Sequence, residues 1–382
     1  MDEIDIFRRT LRTFCEERLA PLVARSEALE RFPRERILRP MAELGIFRLG
    51  VPEELGGLGG GLVLQCEIAR EIGRVSGSFA VSVLPSVLGP SLLADLGTRE
   101  QFDRLAPPLM DGEHMAAIAL TEPEAGSDVV AMRTVATPAR EGFVLRGTKT
   151  FVTNAPVADL FLVAAVLDSF ARRPGPERAA GIALFLVRPQ EPGFRISRRI
   201  EKLGMRASET GEIVLDDCFV PAENRLGGNR GNFLGLLRVL ERSRLYVAAL
   251  SLGIAAAAFE AALGYAKVRK AFGKAIGDHQ AIGFKLADMA LELEAAELLV
   301  FSAARAFDRG EKAGARVSMA KLFASEASVR IANEALQIHG GYGYTTEFPV
   351  ERYLRDARVG TIWEGTSEMQ RRTIARSLGL SP

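Results

Sequence analysis

The stretch Gly142-Phe143-Val144-Leu145-Arg146-Gly147-Thr148-Lys149-Thr150-Phe151-Val152-Thr153-Asn154 decides how this chain is divided. It is rich in β-branched and aromatic residues, and turn signals punctuate it at Glu141-Gly142, Arg146-Gly147 and Asn154-Ala155-Pro156. It therefore reads as two short strands, 142–146 and 148–153. Similar runs lie on either side, at 116–121, 129–137, 160–166, 182–187 and 212–220. Glu191-Pro192-Gly193 adds a further turn, and the Arg172-Arg173-Pro174-Gly175-Pro176 region within 168–180 reads as an exposed loop. Short strands with close turns predict an antiparallel β domain, a small barrel or sandwich, over 115–230.

The flanks have a different texture. Ile4, Phe7, Leu11 and Phe14 fall at helical spacing. Ala- and Leu-rich periodic segments continue to about residue 110, which predicts an all-α domain over 1–114. The run Gly56-Gly57-Leu58-Gly59-Gly60-Gly61 suggests a phosphate loop, but no Lys-Ser/Thr follows and position 62 is Leu. It is read as a connection between helices. Beyond residue 231 the helical pattern returns at 233–265, 279–308, 313–339 and 366–378, predicting a C-terminal four-helix bundle over 231–382. The expected fold is α+β and multidomain, in the order α, β, α. Strands and helices do not alternate, so a doubly wound parallel sheet is excluded.

With 382 residues, two or three domains are expected. Net charge is +1, which gives no reason to expect nucleic-acid binding or an anionic membrane surface. Cys15, Cys66 and Cys218 are scattered and odd in number, pointing to a reducing, cytoplasmic setting without disulfides. His114, His279 and His339 form no metal-ligand spacing, and no metal is expected. The N-terminus carries early acids and does not read as a secretory signal. The apolar run 245–263 is Ala-heavy and broken by Ser251, Gly253 and Glu260, which suits a buried helix better than a membrane span.

Five segments could carry chemistry. In Thr361-Ile362-Trp363-Glu364-Gly365-Thr366-Ser367-Glu368 a carboxylate lies between a large aromatic residue and a flexible turn, a setting for a general base. Thr121-Glu122-Pro123-Glu124-Ala125-Gly126-Ser127-Asp128 offers hydroxyls and a glycine that lets a ligand approach; a plain turn fits it equally well. Phe151 and Thr153 share one strand face and could meet a flat ligand, although cross-strand packing alone explains them. Arg269 supplies a forked donor suited to phosphate, with Phe272 and Gln280 following; a solvated helix end is the alternative. Gln337-Ile338-His339-Gly340-Gly341-Tyr342-Gly343-Tyr344 exposes backbone N–H groups after a helix, or simply caps it.

In order and spacing these motifs resemble the acyl-CoA dehydrogenase family over essentially the whole chain. The resemblance rests on T-E-P-x-A-G-S-D at 121–128, R-x-x-F-G at 269–273, Q-x-x-G-G-x-G-Y at 337–344 and E-G-T-S-E at 364–368. It implies FAD as cofactor. Thr121, Ser127, Phe151 and Thr153 would line the flavin ring, with Thr153 near N5. Arg269, Phe272, Gln280, Gln337 and Gly341 would hold the adenine diphosphate part, largely from a neighbouring subunit. That implies at least a dimer, and by family habit a homotetramer built as a dimer of dimers. Thr366 and Glu368 would complete the cofactor site.

The resemblance also gives Glu364 a task. It would take the α-proton of an acyl thioester while the β-hydrogen leaves as hydride to flavin N5, with the backbone N–H of Glu364 polarising the thioester carbonyl. Some members carry the base at the position that is Ser243 here, and serine cannot serve. Arg244 and Ser127 would help place the substrate. Trp363 stands where Tyr is more usual. Trp363, Leu84 and Val87, with Leu88 beyond, would shape the acyl pocket toward short or branched chains. The same chemistry also fits an acyl or aminoacyl group on a carrier protein. An oxygen-using flavin oxidase or hydroxylase and a non-catalytic helical scaffold are weaker readings. An electron-transfer flavoprotein is the family's usual acceptor.

Overall fold

A computed structural model describes residues 3–227 and 233–381. The boundary expected between 230 and 231 lies outside the described residues. Six helices open the chain: α1 (Glu3–Phe14), α2 (Ala20–Leu29), α3 (Arg34–Glu43), α4 (Leu62–Val75), α5 (Gly77–Leu96) and α6 (Arg99–Met110). Strands follow: β1 (Ala116–Ala119), β2 (Val135–Ala139), β3 (Gly142–Thr153), β4 (Leu160–Leu167), β5 (Ile182–Val187), β6 (Phe194–Arg199) and β7 (Thr210–Pro221). A short helix, α7 (Gly175–Ala180), occupies part of the expected 168–180 loop. The last third holds α8 (Phe233–Val268), a two-residue hairpin β8 (Lys270–Ala271) and β9 (Lys274–Ala275), then α9 (Gln280–Asp308), α10 (Gly314–His339), α11 (Val350–Arg358) and α12 (Ser367–Ser377).

The β region is one seven-stranded sheet. The β2–β3, β3–β7, β6–β7 and β4–β5 pairs are antiparallel, as expected. Two pairs correct a purely antiparallel picture: β1 and β2 run parallel to β4 along the same edge, at its start and its end. These strands are joined by long connections rather than tight turns, so no hairpin fixes their direction. The break expected at Arg146-Gly147 is not a turn. β3 runs through it with a register shift, because the Gly147 backbone passes so close to Thr134 that a Cβ would lie 2.4 Å from its hydroxyl.

β4 and β5 are buried along almost their whole length, and their alternation divides them between two cores. Leu160, Leu162, Ala164 and Val166 join the helical core, while Phe161, Val163 and Ala165 face the interior of the curled sheet. The helical core is continuous from Leu11 to Ala357. The two helical regions are therefore welded into one body. α4 and α8 touch backbone to backbone: a Cβ on Gly253 would lie 2.2 Å from the Arg70 carbonyl. α5 and α8 have the length and apolarity of membrane spans, but 78% and 67% of their most apolar windows are buried inside the protein.

The glycine run at 56–61 is a connection, as read. The anion at the α4 N-terminus belongs to the protein itself: Asp308 accepts from the amides of Leu62 (2.7 Å) and Val63 (3.1 Å).

Candidate active site

Glu364 and Gly365 form a turn that enters α12, and both are left-handed, with φ of +52° and +86°. A non-glycine residue in that region costs about 1–2 kcal/mol and persists only when its surroundings enforce it. Three helices do so. From α8, Arg244 Nε donates to the Glu364 carbonyl (3.1 Å). From α12, Gln370 Nε2 donates to the carbonyls of Glu364 (3.2 Å) and Gly365 (2.9 Å). From α10, Lys321 Nζ donates to the Gly365 carbonyl (2.6 Å). The Glu364 carboxylate is held separately: Ser243 Oγ, also on α8, donates to Oε2 at 2.5 Å. Glu364 itself is half-buried.

The charges around this turn are shifted by burial. The Arg244 guanidinium is pushed below its ordinary range by desolvation, with Glu364 and Glu241 pulling the other way. The Lys321 ammonium is fully buried and is pushed down to about 8, again by desolvation first. Trp363 packs against the helical core, and its indole N–H is buried with no acceptor among the described residues.

The 121–128 segment and the end of β3 are brought together. Thr150 N–H donates to the Thr121 carbonyl (2.9 Å). Beneath them lies a buried ion pair, Lys149 Nζ to Glu122 Oε1 at 2.7 Å, with Lys149 also reaching the Leu120 carbonyl (3.1 Å). Burial opposes the Glu122 charge, but Lys149 and the amides of Thr134 and Arg133 hold its carboxyl below the usual range. Phe151 does not follow simple alternation. It lies at a register shift with φ +56° and its ring is 64% exposed, while Thr153 is half-buried and Ser127 is exposed. Asn154 locks this corner to the helices through its amide, which donates to the carbonyls of Ser82 (2.8 Å) and Ala116 (2.9 Å).

Arg269, Phe272, Gln280, Gln337 and Gly341 fall at the far end of the bundle. Arg269 lies over the Tyr342 ring at 5.6 Å, which links the α8 end to the α10 end. Phe272 is 96% exposed and meets His279 edge-on, next to Gln280 at the start of α9. Gly341 is exposed, and a Cβ there would meet nothing within 4 Å. Arg244 and Arg269 are 25 positions apart along α8 and its end, about 37 Å at 1.5 Å per residue.

Thr366 and Glu368 have local duties. Thr366 caps α12 by accepting from Met369 N (3.3 Å), and hydrogen bonds to its own amide and to Thr366 hold the Glu368 carboxyl below its ordinary range. Leu84 and Val87 are buried in the core. The open side of α5 is that of Pro85, Gly89, Leu92 and Leu93, which face a wholly apolar void of about 30 Å³ against β1, β4 and α6. A much larger groove, about 1140 Å³, opens between α7, the start of α8 and α12, lined among others by Asp128, Arg173, Arg178, Leu234, Arg372 and Arg376.

Lys321 and Gln370 escaped the sequence reading. The one signal for Lys321 was a lone lysine in a helix of small residues, Ser318-Met319-Ala320-Lys321.

Three family models match along the chain: acyl-CoA dehydrogenase N-terminal domain at 1–113, middle domain at 117–218 and C-terminal domain at 234–379. The chain belongs to the acyl-CoA dehydrogenase family. It is 40% identical to an acyl-CoA dehydrogenase of Bacillus subtilis over 98% of this chain and 97% of that one. It is 40% identical to a 3-(aryl)acrylate reductase of Clostridium sporogenes (99% and 98% covered) and 41% identical to the CarC subunit of a caffeyl-CoA reductase–Etf complex of Acetobacterium woodii (98% and 97%). Among solved structures, butyryl-CoA dehydrogenase of Megasphaera elsdenii superimposes with a TM-score of 0.93 at 34% identity, covering 100% and 99% of the two chains. The FAD complex of PigA gives 0.92 at 29% identity, covering 100% and 98%. As an acyl-CoA dehydrogenase family member the chain is an FAD-dependent oxidoreductase acting on a CH–CH bond.

Proposed function

We propose that Glu364 is the general base that removes the α-proton of an acyl-CoA during α,β-dehydrogenation. The observation that carries this is the left-handed Glu364–Gly365 turn, clamped from α8, α10 and α12, with a carboxylate oriented by Ser243. A base is useful only where its geometry is fixed against the proton it takes. Ser243 holds Oε2, which leaves Oε1 for the proton. The Glu364 N–H, set by the same turn, polarises the thioester carbonyl. Arg244 and Ser127 help place the substrate, and Trp363 walls the acyl site.

The residues present fit a flavin dinucleotide. Thr121, Ser127, Phe151 and Thr153 offer hydroxyls and an exposed ring at one joined corner; Arg269 and Phe272 offer a cation and an exposed ring at the other end, with Gln280, Gln337 and Gly341 beside them. Thr366 and Glu368 flank the base from the cap of α12. Bound FAD supplies the hydride acceptor. The adenine-side residues lie at the far end of the bundle, about 37 Å along α8 from Arg244 beside the base. We therefore assign the second half to a neighbouring subunit, in a homotetramer built as a dimer of dimers. Phe284, Leu291 and Leu298, exposed at seven-residue spacing on α9, provide an apolar seam for it.

The division into domains at 114/115 and 230/231, a cytoplasmic location and an electron-transfer flavoprotein as acceptor belong to the same proposal. The last is supported by the name of the Acetobacterium woodii relative. The arginine-lined groove favours coenzyme A, with its phosphates, over a carrier protein's phosphopantetheine arm. The absence of charged side chains on α5 from Gly77 to Ala94, and the aryl names of two relatives, support an apolar acyl group, short, branched or aryl. Anaerobic mixing of the FAD-loaded protein with a panel of acyl-CoAs and carrier-loaded acyl groups tests this. Bleaching by an apolar acyl-CoA is expected; bleaching by carrier-loaded acyl groups alone would overturn the choice of carrier.

A further inference from the structure

Lys321 is among the largest fully buried side chains of the protein, on a helix whose neighbouring positions Ser318, Ala320, Ala324 and Ser325 are also buried. An ammonium taken out of water is costly unless paired and hydrogen-bonded. Among the described residues Lys321 forms no ion pair within 4 Å, and its acceptor is the neutral carbonyl of Gly365 at 2.6 Å. Gly365 follows the base directly. Gln370 shares the Gly365 carbonyl and, with Arg244, takes that of Glu364, and among the described residues Lys321 supplies the hydrogen bond to the turn from α10.

We propose that Lys321 is a positioning residue for the base: its ammonium fixes the Glu364–Gly365 turn through the Gly365 carbonyl and acts as counter-charge to the Glu364 carboxylate. The proposal rests on Glu364 being the base. The charges facing Lys321 are Glu364 and Glu368 at the entry to α12, Glu326 on α10 itself and Arg244 on α8. Glu364 is the foremost of the carboxylates in supporting the ammonium, and Arg244 works against it. A neutral residue at 321 removes a charge facing the carboxylate as well as a hydrogen bond from its turn. Neither effect requires contact with the substrate.

The test uses the full-length FAD-loaded enzyme and its variants K321M, K321Q and E364Q, with anaerobic stopped-flow flavin reduction from about pH 5.5 to 9.5. K321M, which lacks both charge and donor, is expected to lower the limiting reduction rate by about tenfold or more. Substrate affinity should change little. K321Q restores a donor without the charge; it should recover part of the rate. In the wild type the limiting rate should decline above about pH 8, as the ammonium neutralises. A wild-type rate in K321M overturns the proposal. So does a flat wild-type profile to about pH 9.5, a measurement that needs no variant to fold. E364Q separates the two readings: full-speed reduction in E364Q removes Glu364 as the base, whereas an inactive E364Q beside a normal K321M defeats only the role of Lys321.

Discussion

Replacing Gly365 by alanine tests whether the turn itself is catalytic equipment. A Cβ at 365 would lie 2.6 Å from Gln370 Nε2. That atom is the end of a flexible side chain, so the steric clash alone is cheap. Moving it is not, because Gln370 is buried to 1% exposure and its amide holds the carbonyls of Glu364 and Gly365. Two lost hydrogen bonds with buried groups left over cost about 1–3 kcal/mol each. The φ of +86° adds about 1–2 kcal/mol for any residue with a Cβ. The chain will relieve a penalty of roughly 3–8 kcal/mol by rotating the turn. A base displaced by an ångström loses on the order of 100-fold in rate. The assay is stopped-flow flavin reduction by an acyl-CoA, with flavin content and melting temperature measured alongside. The expected result is retained flavin, a small loss of thermal stability and a rate about 100-fold lower. A rate within about twofold of wild type, with flavin intact, would refute the view that this turn geometry places the base.

Arg269→Ala should release FAD on dilution, because it removes the forked donor proposed for the diphosphate; unchanged flavin content after gel filtration would count against it. Asp356 gives a pH signature. It is buried where the helical body meets the sheet, accepting from Met205 N (2.6 Å), and burial together with Glu27 pushes its carboxyl up to about 7. Its folded value lies above the unfolded one, so its stabilising contribution is complete below about pH 4 and is lost as pH rises through about 7. Asp356→Asn should therefore gain stability relative to wild type between about pH 5 and 8 in urea titrations; a difference that does not vary with pH would remove this assignment.

Much of this molecule was legible in the sequence because its signals are local. Apolar runs at 160–166 and 182–187 marked the two strands that separate the cores, and long Ala/Leu periodicity marked α8, α9 and α10. β6 was passed over because Phe194-Arg195-Ile196-Ser197-Arg198-Arg199 is an edge strand that shows mostly charge to solvent. Glycine at 147 signals a turn and a bulge alike, and only the approach of Thr134 decides between them. The parallel pairing of β1 and β2 with β4 is a long-range choice that no local pattern encodes. At the site, Glu364 stood out through its neighbours in sequence. Lys321 and Gln370 act on it through space, from positions whose own surroundings look like ordinary helix. α5 is apolar on every side, so its periodicity gives Leu84 and Val87 no orientation.

The most direct test of the central claim is the anaerobic reduction rate of the FAD-loaded Glu364→Gln variant. The amide nearly preserves the shape of the carboxylate and can still meet Ser243, but it cannot take a proton. The account predicts full flavin content and a reduction rate lower by about 10²–10⁴-fold. Reduction at the wild-type rate would show that another group removes the α-proton.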